Sequence, residues 1–150
     1  MIEARIPPEL SRPLRLAAIP PTGYQVEITA NPEECRALAR RFDLPSIEVL
    51  SCRFTLSREP GAVIRASGIL SARVTQICRV TLDPFPASVE ERFVVRFVPK
   101  GSETDEFDPE APDEIPYSSD VLDLGEATAE QLALALDPWP RKPDAPLPIQ

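Results

Sequence analysis

Hydrophobic residues recur along this chain with two different periods, and the changes of period divide it. Residues 24–28 alternate, with Tyr24, Val26 and Ile28 apolar and Gln25 and Glu27 polar, the pattern of a strand with one buried face. From Cys35 the spacing lengthens: Cys35, Leu38, Ala39 and Phe42 stand at i, i+3, i+4 and i+7, one stripe of a helix. Local chemistry marks the start of that helix. Asn31 can cap it, Pro32 suits the first helical position, and Glu33 and Glu34 lie where the helix dipole favours negative charge. Arg36 and Arg40 lie off the stripe and Pro45 ends the segment, so the helix spans 32–42.

From Ser46 to Val98 the period returns to two. Leu50, Cys52, Phe54 and Leu56 share one parity, but Ile47 and Val49 have the other, which predicts a bulge near Val49 and Leu50. Glu59, Pro60 and Gly61 form a turn. A second strand runs from Ala62 to Leu70, interrupted by Gly68; a third carries Val74, Cys78, Val80 and Leu82 on its inner side, with Gln76 as a polar exception. Asp83, Pro84 and Pro86 break it, and a fourth strand places Val89, Phe93, Val95 and Phe97 together. Four long strands with short turns predict an α+β fold. Its sheet is an antiparallel meander, bent or barrel-like, with one helix before it and one after.

The ends read differently. Residues 1–23 are a Pro/Arg-rich extended arm, 24–99 the first helix and the sheet, and 100–120 an acidic loop broken by prolines. Residues 121–137 hold the final helix, starting near Asp123–Glu126 or Thr128, with Leu132, Ala135 and Leu136 on its buried side. Residues 138–150 form a tail kept extended by Pro138, Pro140, Pro143, Pro146 and Pro148. All of this fits one domain of 150 residues.

Charge sharpens the picture. The net charge of −8 is split: residues 1–99 hold 13 Arg against 11 acids, whereas residues 100–137 hold 12 acids against Lys100. A general nucleic-acid binder carries a clear basic excess, so indiscriminate RNA binding is not expected, and the acidic segment suits a basic protein partner or solubility. Three irregularly spaced cysteines make no disulfide framework. No apolar run reaches signal-peptide or bilayer-spanning length, which predicts a cytoplasmic protein without a membrane partner.

Histidine is absent. That removes the usual general base, the Ser-His and Cys-His nucleophile pairs and the commonest metal ligand. Gly61, Gly68, Gly101 and Gly125 are isolated, so no phosphate loop exists, and the acids of 103–114 fit solvation better than catalysis. Cys35, Cys52 and Cys78 lie on apolar parities as small buried residues, without a C-x-x-C pair for zinc. The chemistry therefore predicts a non-enzymatic protein with no catalytic residue, metal, cofactor or small-molecule substrate. Arg53, Arg65, Arg73, Arg79, Arg92 and Arg96 have outward parity. They either form a ridge that grips phosphates or pair with Glu48, Glu90 and Glu91. Trp139, beside Arg141, either anchors the tail or meets a partner.

Two segments carry a resemblance. Cys78, Leu82, Pro84 and Phe85 match a Cys-x-Arg-Cys-Leu-x-Pro-Phe motif, with Val80 in place of its arginine and Thr81 in place of its second cysteine. Asp123, Gly125, Glu126, Gln131, Leu132, Pro138 and Pro140 match a C-terminal helix and its proline stop. Over roughly residues 40–143 the chain resembles the YceD family, the large ribosomal RNA subunit accumulation proteins, in a cysteine-poor form like the alphaproteobacterial branch. The further C-terminal cysteines of many members are absent. The resemblance implies a factor in large-subunit biogenesis that supports 23S rRNA accumulation. Its partners would be a large-subunit ribosomal protein or assembly factor, and 23S rRNA itself. The alternative is a protein–protein interaction module unrelated to the ribosome, built on the last helix and Trp139.

Overall fold

The computed structural model describes residues 8–104 and 108–145. The expectations for the first seven residues of the arm, for Asp105 and Glu106, and for Pro146 and Pro148 lie outside the described residues. In chain order the strands are β1 (Pro13–Arg15), β2 (Tyr24–Thr29), β3 (Ser46–Glu59), β4 (Val63–Ile77), β5 (Pro84–Pro99), β6 (Asp113–Tyr117) and β7 (Val121–Asp123). Helix α1 (Pro32–Arg41) lies between β2 and β3, and α2 (Leu124–Ala135) follows β7.

The fold is α+β. Its main sheet has the order β2-β3-β4-β5-β6 and is not closed into a barrel; β1 and β7 form a separate antiparallel pair. The meander β2 to β5 is antiparallel, and β6 adds in parallel beside β5. The bulge falls where the parity change puts it, between Ile47 and Val49. Asn31 caps α1 in a full capping box: its side chain accepts from the Glu34 N–H, and Glu34 accepts from the Asn31 N–H, both at 2.8 Å.

The meander of four antiparallel strands forms, but Ser46 to Val98 supplies three of them, β3, β4 and β5, where four are expected, and β2 is the other. The segments expected as the second and third strands are one strand, β4, of 15 residues. Ser71, Ala72 and Arg73 contain no Gly, Pro, Asn or Asp, and Leu70, Ala72, Val74 and Gln76 are buried on one parity straight through. Gly68 does not interrupt the strand either. It makes room for the Phe93 ring, which a Cβ at that position would meet at 2.3 Å. Val80 and Leu82 are exposed rather than inward, because β4 ends at Ile77 and the chain turns away. Within the acidic segment expected as a loop, Asp113–Tyr117 is strand β6. Pro116 is tolerated there because β6 is an edge strand.

One core joins the pieces. Leu50, Cys52, Phe54, Leu56, Ile64, Leu70, Val74, Val95 and Phe97 from one face of the sheet share it with Leu38 of α1 and Leu124 and Leu132 of α2. Leu10 and Ile19 belong to it too, so the described part of the N-terminal arm is packed against the domain. Fully burying one such side chain contributes about 1.5–3 kcal/mol. Both helices therefore lie on one side of the sheet, and among the described residues no helix covers the other side.

Candidate functional site

The open face of the sheet follows directly from strand register. Cross-strand partners set Glu27, Arg53, Ile69 and Arg92 in one row. A second row holds Gln25, Thr55, Ser67 and Val94, and a third Ser57, Arg65, Arg96 and Glu114. At the far end Val49, Arg73 and Ser88 align. The face is thus short hydroxyl side chains studded with guanidinium groups. Strands are about 4.8 Å apart, so Arg53 and Arg92 stand about 10 Å from each other across Ile69.

Ion pairing distinguishes these arginines. Arg96 lies between Glu59 at 2.9 Å and Glu114 at 3.6 Å, which offsets the repulsion of its direct neighbour Arg65. Glu114 in turn accepts from the Thr104 N–H at 2.7 Å and hydroxyl at 2.8 Å, and these bonds hold its carboxyl below the ordinary range. Arg53 meets Glu27 at 3.5 Å, a pair open to water and worth about 0–1 kcal/mol. Among the described residues, Arg65, Arg73 and Arg92 have no carboxylate within ion-pair distance. The pairing partners are thus Glu27, Glu59 and Glu114; none of Glu48, Glu90 and Glu91 pairs with these arginines.

Arg79 stands apart from this face. It lies in the 78–83 turn, with its guanidinium carbon 4.5 Å from the centre of the Trp139 ring. This turn and the tail form a second assembly. The Cys78 N–H donates to the Asp83 carbonyl at 2.8 Å and the Leu82 N–H to the Cys78 carbonyl at 2.8 Å. Leu82 adopts a φ of 63°, a left-handed conformation unusual for a branched residue. The tail docks by an Arg79 N–H to Pro140 carbonyl bond of 2.8 Å, by Gln76 Nε2 donating to the Asp137 carbonyl at 3.4 Å, and by a Lys142–Asp83 ion pair at 3.0 Å. Gln76, polar on an inward parity, is buried to make that bond.

Cys78 lies under this lid, fully buried. Burial pushes its thiol up. Hydrogen bonds from the Thr81 hydroxyl and from the N–H groups of Lys142, Thr81 and Val80 outweigh that and lower it to about 7. Thr81 thus serves the sulfur as a donor. The other two thiols differ: burial pushes Cys52 up to about 12 and raises Cys35 as well. All three cysteines are free, and among the described residues no three His, Cys, Asp or Glu side chains gather as metal ligands.

The second motif is architectural. Asp123 caps α2 by accepting from the Gly125 N–H at 3.0 Å and the Glu126 N–H at 3.1 Å. It also accepts from the Arg12 N–H at 2.8 Å and the Ser11 hydroxyl at 2.7 Å, tying the N-terminal segment to the helix. A Cβ on Gly125 would meet the Leu10 carbonyl oxygen at 2.8 Å and the Arg12 nitrogen at 2.9 Å, so only glycine lets that backbone pass. Glu126 pairs with Arg41 of α1 at 3.0 Å. Parity and composition could not show these ties, because their partners lie 85 to 112 residues away.

Pro84 opens β5 and Phe85 is half-buried opposite Gln76. Arg141 is exposed beside Pro140. No described helix is long and apolar enough to cross a membrane. A family model described as "Large ribosomal RNA subunit accumulation protein YceD" matches residues 66–148, more than half of the chain. No curated protein and no solved structure matches it. The matched span contains both motifs, the docked tail and Arg73, Arg92 and Arg96 of the open face, but not Arg53, Arg65, β2, α1 or β3.

Proposed function

We propose, because the chain belongs to the YceD family of large ribosomal RNA subunit accumulation proteins, that it is a non-enzymatic factor in large-subunit biogenesis. It would support 23S rRNA by binding and holding rather than by bond cleavage. The observation that carries this reading is the family match across both motifs. The absence of histidine supports the non-enzymatic part, since it removes the usual general base and the Ser-His and Cys-His pairs.

Two surfaces divide the work. The open face offers Arg65, Arg73 and Arg92 to phosphate oxygens, with Arg53 released from Glu27 at little cost. The acidic stretch that includes Asp108, Glu110 and Asp113 faces the opposite class of partner, a basic ribosomal protein or assembly factor. The protein would act in the cytoplasm, where ribosomes assemble.

The test is co-sedimentation of the tagged chain with precursors of the large subunit at moderate salt. The native chain is expected in those fractions, and Arg73→Glu with Arg92→Glu is expected to leave them while melting normally. A native chain that stays at the top of the gradient at every salt concentration contradicts the reading.

A further inference from the structure

We propose that the Trp139 ring, backed by the Arg79 guanidinium, is a stacking platform for an unpaired base of single-stranded RNA. This rests on the reading above that the chain works on large-subunit ribosomal RNA. The argument starts from how the tail is held. Backbone and ion-pair contacts dock it: Arg79 N–H to the Pro140 carbonyl, Gln76 to the Asp137 carbonyl and Lys142 to Asp83. An aromatic tail anchor would bury its ring, yet Trp139 remains 68% exposed.

The guanidinium of Arg79 covers one side of the indole, 4.5 Å from its centre. The exposed two-thirds is therefore mainly the opposite ring face and the edge. Pro138 and Pro140 restrict the backbone on both sides, and the Trp139 N–H donates to Asp137 Oδ1 at 2.9 Å. The backbone carrying the ring is thus restricted before a ligand arrives and the Arg79 contact orients the indole, so stacking loses less conformational freedom.

Charge selects the ligand. Neither Arg79 nor Arg141 has a carboxylate within ion-pair distance among the described residues. A guanidinium over a ring still carries N–H groups that can reach phosphate oxygens. An exposed aromatic face backed by the Arg79 guanidinium matches a nucleotide, with the base on the ring and the phosphate on the cation. A duplex hides its base faces and cannot use the platform.

Trp139 is the only tryptophan, so fluorescence excited selectively at the red edge of the tryptophan band, away from Tyr24 and Tyr117, reports on this ring alone. The full chain is titrated at low salt with a short single-stranded oligoadenylate and with an RNA duplex of equal length. Saturable quenching by the single strand, and none by the duplex, is expected. Trp139→Ala is expected to weaken binding of a labelled oligoadenylate by about 5- to 150-fold with an unchanged melting temperature. Trp139→Phe should retain most of the affinity. Unquenched fluorescence overturns the proposal, as does an alanine variant that binds like the native chain. Quenching by a lysine-rich peptide but not by RNA also overturns it, in favour of protein docking. Sedimentation separates the two readings. Native chain that travels with large-subunit particles while Trp139 stays unquenched defeats the platform alone; failure of both defeats the functional reading as well.

Discussion

Replacing Asp123 probes how the D-L-G-E segment holds the domain together. In Asp123→Ala four donors lose their acceptor: the Gly125 and Glu126 N–H groups of the first turn of α2, the Arg12 N–H and the Ser11 hydroxyl. Loss of a helix cap costs about 0.5–2 kcal/mol. The two donors of the N-terminal segment sit half-buried, where an unmade bond costs about 1–3 kcal/mol each, less what water recovers. Together the alanine variant should lose about 2–5 kcal/mol, a fall in melting temperature of about 4–20 °C for a chain of this size. Asp123→Asn separates geometry from charge. Three of the four donors address Oδ1, which an amide oxygen replaces, so its loss should stay near 1 kcal/mol or below. Thermal melts followed by far-ultraviolet circular dichroism, with urea titrations alongside, read both variants. An alanine variant that melts within about 2 °C of native refutes the reasoning. Equal losses in both variants would instead make charge, rather than acceptor geometry, the decisive property.

Three further outcomes are expected. Glu34 receives two hydrogen bonds from Arg12, at 2.7 and 2.8 Å, which hold its carboxyl below the ordinary value of 4.5 against the opposing effect of burial. The folded state therefore prefers the ionised form, and the contribution is complete above about pH 4.5 and lost as pH falls through the lowered value. Glu34→Gln should have a lower urea midpoint than native at pH 7, with the gap narrowing as pH falls below the ordinary 4.5; a constant gap refutes it. Iodoacetamide at about pH 8 should label Cys78, covered by the 78–83 turn and the docked tail, before Cys52 in the sheet core, because the smaller opening is the more frequent; peptide mass spectrometry reads the order, and Cys52 first is the contrary result. Gly68→Ala should lose about 1–3 kcal/mol because its Cβ would strike Phe93, and Phe93→Leu in the same chain should restore part of it. Additive losses in the double variant would show that ring and glycine do not compete for space.

What was legible in the sequence was local. Asn31, Pro32 and Glu34 announce α1 because a capping box is complete within four residues. The parity change at Ile47 and Val49 likewise locates the bulge. Length of strand was harder to read. Gly68 looks like an interruption unless the Phe93 ring that fills its place, 25 positions further on, is known. Strand β6 was hidden because acidic residues and Pro116 signal a loop, while the parallel partner β5 that recruits it is non-local. The inward reading of Val80 and Leu82 extended the period of β4 beyond its end at Ile77. For the site, parity correctly puts Arg53, Arg65, Arg73, Arg92 and Arg96 on one face, since register preserves it. It misplaced Arg79, whose environment is set by the returning tail. Which arginines are neutralised depends on Glu59 and Glu114, and no local pattern reveals those pairs.

The claim beneath the whole account is that this chain sustains large-subunit ribosomal RNA by binding. It is tested most directly by the ratio of 23S to 16S rRNA in cells that lack the chain. The account predicts a reduced ratio, restored by the native protein and not by the Arg73→Glu, Arg92→Glu variant. An unchanged ratio in cells without the protein, with normal large-subunit particles, would contradict it.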